Sequence, residues 1–249
     1  MDLGFEGRRA LVTAASKGIG FGIAQALAGE GADVAVASRS RGRIQAAAKE
    51  IGATPFEHDT GDVDAAPELI DQVEQELGPL DILVTNSGGP PAGPDALGFT
   101  REQWEEAYRM LVLGPIALVE STIHGMRERG FGRIVSVSSY AVREPIPVLM
   151  LSNVHRSGLL AAFKTIARQV AGDGVTLNSV LPGRIATDRL ADTSGSLEGA
   201  EQAATEQVPA GRLGTIEEMG AVAAFLCSEG AGYVTGQAVL VDGGLSQAV

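Results

Sequence analysis

Arg9-Ala10-Leu11-Val12-Thr13-Ala14-Ala15-Ser16-Lys17-Gly18-Ile19-Gly20 is the stretch on which the fold turns. Its opening apolar run predicts a strand at 9–13, and a helix follows at 19–29. Between them, small residues and glycines let the backbone turn tightly and approach a pyrophosphate. The helix N-terminus there supplies free N–H groups and a positive dipole end. The turn is not a P-loop, because no Gly-Lys-Ser/Thr follows at the required spacing.

Outward from that unit the same alternation continues. Further strands are expected at 33–37, 54–58, 80–85, 133–137, 175–181 and 238–241. Helices are expected at 41–51, 63–77, 100–129 (with Pro115 inside), 149–171 and 216–228. Apolar runs bounded by Gly, Pro and Asp, interleaved with helices, indicate a doubly wound parallel sheet covered on both faces. The architecture is therefore three-layered α/β/α, in a single domain over residues 1–249. The least regular stretch, 188–209, is placed either like a mobile lid over a ligand site or as a surface excursion.

Composition narrows the class. Hydrophobic residues at 45% and charged residues at 20% suit a soluble globular protein. The longest apolar runs are far too short to span a membrane, and the first residues have no basic or apolar signal-like region. A net charge of −12 with no basic cluster argues against nucleic acid. Cys227 is the single cysteine, so no internal disulfide can form, which fits a cytoplasmic location. His58, His124 and His155 lie apart from any cysteine or carboxylate at ligand spacing, so no metal is expected.

With these motifs in place, the chain resembles the short-chain dehydrogenase/reductase family in its short single-domain form, of the 3-oxoacyl-ACP reductase kind. Thr13, Gly18 and Gly20 match its glycine motif, with Ala14 where the first glycine stands. Asn86-Ser87-Gly88-Gly89 corresponds to its Asn-Asn-Ala-Gly, and Asn178-Ser179-Val180-Leu181-Pro182-Gly183, then Ile185 and Thr187, to its sixth-strand motif. Tyr233-Val234-Thr235-Gly236-Gln237 and Val241-Asp242-Gly243-Gly244 complete the resemblance, which covers essentially the whole length.

The resemblance implies a Rossmann-type fold binding a nicotinamide dinucleotide. The implied contacts are Thr13, Ala15, Ser16, Lys17, Gly18, Ile19, Gly20, Asn86, Ser87, Gly88, Pro182, Gly183, Ile185 and Thr187. Asp59 matches the residue that contacts adenine. Where NAD-preferring relatives have a carboxylate after the second strand, this chain has Ser38 and Arg39. A ribose 2′-phosphate needs cations, so Arg39 and Lys17 read as a clamp that favours NADP(H) over NAD(H). The alternative is two ordinary solvated charges.

At the chemical end the family uses a serine, a tyrosine, a lysine four residues later and an asparagine. Ser139 matches the serine. The tyrosine slot, thirteen positions on, is Ser152; the lysine slot is Arg156; the asparagine slot is Leu111. A serine hydroxyl is far less acidic than a phenol, and arginine keeps its proton. Arg156 is expected to hold the nicotinamide ribose. Tyr140 is a candidate proton donor, because in the 2,4-dienoyl-CoA reductase branch serine takes the tyrosine slot and an upstream tyrosine donates. His155 and Glu144 are further candidates. The leading expectation is an NADP(H)-dependent oxidoreductase with an atypical site acting on a small-molecule carbonyl, alcohol or acyl substrate. An enoyl or dienoyl reductase using Tyr140, or a non-catalytic NAD(P)-binding protein, are the alternatives. The resemblance also implies a homo-oligomer, a tetramer or dimer, formed through the two longest helices.

Overall fold

Alternate residues of each central strand divide between two apolar layers, as the twofold repeat of a strand requires. The computed structural model describes residues 2–248. Its strands are β1 (Arg9–Thr13), β2 (Asp33–Ser38), β3 (Thr54–Glu57), β4 (Ile82–Thr85), β5 (Gly132–Val137), β6 (Val175–Pro182) and β7 (Ala238–Val241). They form one sheet in the order β3-β2-β1-β4-β5-β6-β7, parallel at every pairing. The helices are α1 (Gly18–Gly29), α2 (Arg41–Ile51), α3 (Ala66–Leu77), α4 (Arg101–Tyr108), α5 (Gly114–Glu128), α6 (Met150–Val170), α7 (Asp188–Ser194), α8 (Leu197–Gln207) and α9 (Ile216–Cys227).

Val12, Val36, Val84 and Val135 pack with Ile23, Leu27, Ile44 and Met219 from α1, α2 and α9. Leu11, Ala35, Leu83 and Ile134 face the other way, onto Leu69, Leu118, Leu159 and Phe163 from α3, α5 and α6. Both faces are thus covered, as a parallel sheet demands. The strand order reverses between β1 and β4, and the crevice at their carboxyl ends is where such sheets take ligands.

One crossing sets the position of that crevice. A Cβ on Gly22 would lie 2.5 Å from the Ile216 carbonyl oxygen, and one on Gly220 would lie 2.5 Å from the Gly22 carbonyl oxygen. The backbones of α1 and α9 therefore touch, which a side chain at either place would forbid.

Two expectations are corrected. The helix expected over 100–129 is interrupted by a π-helical turn, Arg109–Leu113, in which the Gly114 N–H reaches back to the Arg109 carbonyl. Pro115 is the cause: it has no N–H for the Leu111 carbonyl and its ring would crowd that carbonyl, so the helix widens by one residue. The stretch 188–209 is not irregular but carries α7 and α8. Thr187 Oγ1 accepts from the Leu190 N–H and Ser196 Oγ from the Gly199 N–H, capping both. Ala200 and Ala204, one turn apart, bury the inner face of α8.

Candidate functional site

Around the end of β1, side chains and backbone are stitched together before any ligand arrives. Thr13 Oγ1 donates to the Asn86 carbonyl at 2.7 Å and accepts from the Asn86 N–H at 2.9 Å. Asn86 Nδ2 donates to the Ala14 carbonyl at 3.2 Å, and the Ala15 N–H to the Ala37 carbonyl at 3.2 Å. A Cβ on Gly20 would sit 2.6 Å from Asn86 Nδ2 and 2.7 Å from the Ala14 oxygen. Thr13, Ala15 and Gly20 shape the turn from beneath.

Ala14 has a φ of 48°, the one positive-φ non-glycine residue among the described residues. A left-handed alanine costs roughly 1–2 kcal/mol, against the ~0.4–1 kcal/mol it gains by restricting the unfolded chain. Ala14→Gly is therefore expected to be neutral to about 1 kcal/mol stabilising in urea unfolding. A loss above ~1 kcal/mol, the usual penalty for introducing glycine in regular structure, would contradict the strain.

The cleft above this turn has a volume of about 560 Å³. Ser16, Lys17, Gly18, Ile19, Ser38, Arg39, Asn86, Ser87, Gly88 and Thr187 line it, as does Ala14. Pro182, Gly183, Ile185, Asp59 and Arg156 do not. Pro182 pairs with Val241, Gly183 abuts Asp242, and Ile185 bridges to Gly214. Sequence reasoning missed Ser40, Arg43, His58, Thr60, Met110, Asp188 and Arg189, which also line the cleft. Only Arg43 left a signal, as a further cation four residues after Arg39, in the first turn of α2.

The two cations read as a phosphate clamp have different surroundings. Lys17 Nζ lies 2.7 Å from Asp188 Oδ2, on the far lip, and that contact lowers the Asp188 carboxyl below its usual range. Arg39 Nη1 lies 3.8 Å from Asp59 Oδ2. Arg43 is exposed on the same side as Arg39, and among the described residues no carboxylate pairs with it. Between these cations Ser38 Oγ is buried without a hydrogen-bond partner. An orphaned hydroxyl is costly unless something completes it, and a phosphorylated ribose supplies the missing oxygen. With the open helix N-terminus at Gly18, the residues present fit a nicotinamide dinucleotide.

At the other end, Arg156 is buried on α6. Its Nε donates to Ser152 Oγ at 3.2 Å, Nη1 to the Val137 carbonyl at 2.7 Å, and Nη2 to the Gly88 carbonyl at 3.4 Å. All three acceptors are neutral. Burial, aided by the charge on Arg189, brings its pKa down to about 10, so it stays cationic at neutral pH. Ser139 is half-buried; its Oγ accepts from the Ala141 N–H at 3.2 Å, leaving its own proton to give. Tyr140 lies outside the cleft lining, and burial pushes its phenol above the ordinary value, Arg184 opposing and Glu144 and Asp242 adding.

The remaining candidates face elsewhere. His155 is buried against α4: its Nδ1 is 2.7 Å from the Leu151 carbonyl, and its ring is 5.4 Å from Trp104 and 6.1 Å from Tyr108. Glu144 accepts from the Gln247 N–H at 3.1 Å, tying its loop to the C-terminal segment. Leu111, in the π turn, is buried, while its neighbour Met110 faces the cleft. Among the described residues no cluster of His, Cys, Asp or Glu could hold a metal, and no helix is long and apolar enough to cross a membrane.

Comparison with known proteins agrees with this geometry. A family profile described as enoyl-(acyl carrier protein) reductase matches residues 13–246. The acetoacetyl-CoA reductase of Rhizobium meliloti is 34% identical over 240 residues, covering 95% of this chain and 98% of that protein. The 3-oxoacyl-[acyl-carrier-protein] reductase MabA of Mycobacterium tuberculosis is 34% identical over 241 residues, covering 97% and 94%. The crystal structure of L-sorbose reductase from Gluconobacter frateurii, complexed with NADPH and L-sorbose, superposes with a TM-score of 0.92 at 31% identity and full coverage of both chains.

Proposed function

Since the chain belongs to the short-chain dehydrogenase/reductase family and is an oxidoreductase of that type, we propose that it is an NADP(H)-dependent reductase that polarises its substrate carbonyl with a fixed charge. Arg156 carries this reading. It is a buried cation behind the cleft wall, bonded to the carbonyl of Gly88, which lines the cleft, and all its partners are neutral, so its field acts on negative charge developing on a substrate oxygen there. The Ser139 hydroxyl, two residues beyond the carbonyl that Arg156 holds, orients that oxygen. NADP(H) is favoured by Ser38, Arg39 and Arg43 at the adenosine end, with no carboxylate at position 38 or 39. Bound, reduced nicotinamide would supply the hydride.

One observation favours a second acceptor within the same site. Arg156 stays cationic at neutral pH and so stabilises an oxyanion by its charge without protonating it, and the Tyr140 phenol holds its proton more tightly than usual. That suits reduction of a carbon–carbon double bond conjugated to a carbonyl: hydride adds at the β-carbon, the π electrons move to oxygen, and water protonates the α-carbon. The proposal includes a cytoplasmic location and a homo-oligomer through α4–α5 and α6, whose Tyr108 and Val154 stand about half exposed.

The test is NADPH consumption, followed at the reduced-nicotinamide band, over a panel of simple ketones and matched α,β-unsaturated carbonyls. Saturable consumption, fastest on the unsaturated set and lost in Ser139→Ala, is expected. Cofactor binding with turnover on neither set would overturn the enzymatic reading in favour of a nucleotide-binding protein.

A further inference from the structure

A histidine at the adenosine end has no part in the chemistry above. β2 and β3 pair with Ser38 opposite Glu57, so the next residues outward, Arg39 and His58, leave adjacent strands side by side. The His58 N–H donates to the Ser38 carbonyl at 3.1 Å, fixing its place. His58 is only 7% exposed, yet it lines the cleft with Ser38, Arg39, Ser40 and Arg43. The Ser38 hydroxyl at this end is buried and unpartnered. An imidazole and two guanidinium residues lining one cleft, with an orphaned hydroxyl buried beside them, match a multiply charged oxyanion.

Resting on the reading that this end takes the adenosine half of NADP(H), we infer that His58 takes up a proton when the ribose 2′-phosphate binds, so that the choice between NADP(H) and NAD(H) varies with pH. The charged groups around it are Asp59 and Asp62 on its own loop, Arg39 on the neighbouring strand end, and Arg43 in the same cleft lining. Without ligand, burial holds the imidazole below its ordinary value by more than the two carboxylates raise it. It is therefore neutral near pH 7. A phosphate dianion beside it favours the cation. Between the free and bound values, binding takes up a proton, and affinity rises as pH falls through that window. The phosphate's own second ionisation, at about 6, works in the opposite direction, so the wild type must be read against His58→Gln.

The experiment is calorimetry of adenosine 2′,5′-bisphosphate and of AMP, in buffers of different ionisation enthalpy, on the full chain and on His58→Gln. The wild type should take up a proton with the bisphosphate but not with AMP, and the variant with neither. From about pH 8 to pH 6 the wild type should gain three- to tenfold in bisphosphate affinity relative to the variant, up to roughly one pKa unit of coupling. Imidazole NMR gives the same reading without a variant, since the chain has three histidines to resolve: the His58 midpoint should rise with the bisphosphate and stay put with AMP. An unmoved midpoint, or uptake that persists in His58→Gln, overturns the inference and leaves the cofactor reading intact. Failure of both nucleotides to bind overturns the two together.

Discussion

Arg156→Met should lower kcat/KM by about 10²–10³, the loss seen when a preorganised oxyanion donor is removed, well beyond what a modest fall in the unfolding midpoint explains. Two opposing terms set the stability. The variant loses charged hydrogen bonds to Ser152 Oγ and to the carbonyls of Val137 and Gly88, each worth about 1.5–3 kcal/mol. It also removes a buried cation with neutral partners and with the like charge of Arg189 acting on it, and an apolar replacement of buried charge is often neutral or stabilising by ~1–4 kcal/mol. Gly88 lies at the cleft, so water can reach its freed carbonyl, but Ser152 and Val137 are buried, so the losses outweigh the gain and the midpoint falls modestly. For the wild type, turnover should stay level through neutral pH, because the buried guanidinium stays charged there. Steady-state kinetics and thermal unfolding on the same preparations decide it. Wild-type turnover in the variant, or a loss that simply tracks unfolding, would end the fixed-charge account.

Gly220→Ala should be strongly destabilising and should reach the cofactor cleft as well. Its Cβ would press to 2.5 Å from the Gly22 carbonyl oxygen and 3.0 Å from the Ala26 side chain. Neither is the far end of a flexible group, so α1 and α9 must part. Overpacking of this kind costs about 1–3 kcal/mol and sometimes more, which for a chain of this size lowers Tm by roughly 3–10 °C. Because α1 begins at the glycine turn and α9 at Ile216, which itself lines the cleft, dinucleotide affinity should weaken along with the midpoint. Differential scanning calorimetry with and without NADP+ reads both effects; an unchanged Tm would mean that the crossing has slack.

The sheet was legible because burial on both faces leaves no freedom of composition. β1 and β7 end where their apolar runs meet Ala14 and Asp242, and the remaining strands differ from expectation only at their ends. What escaped depends on single atoms or on distance. The π turn follows from the missing N–H of Pro115, invisible to a helical period that runs straight through it. α8 has just two small residues, Ala200 and Ala204, buried along it, too faint an apolar stripe to read. At the site, motif spacing located the glycine turn, the Asn86–Gly88 segment and Thr187, since each is held by its own strand end. Spacing could not show that Lys17 leans to Asp188, or that His58 and Arg43 reach the same space as Arg39, because those contacts join distant parts of the chain.

The edge-to-face contact of Trp104 with His155 gives the protein a native optical reporter. With one tryptophan in the sequence, ultraviolet emission at the indole wavelength belongs to a single ring fixed between α4 and α6. The imidazole ring 5.4 Å away makes that brightness sensitive to small shifts of α6 against α4, and α6 also carries Arg156, so movements around that side chain can be followed by fluorescence without attaching any dye.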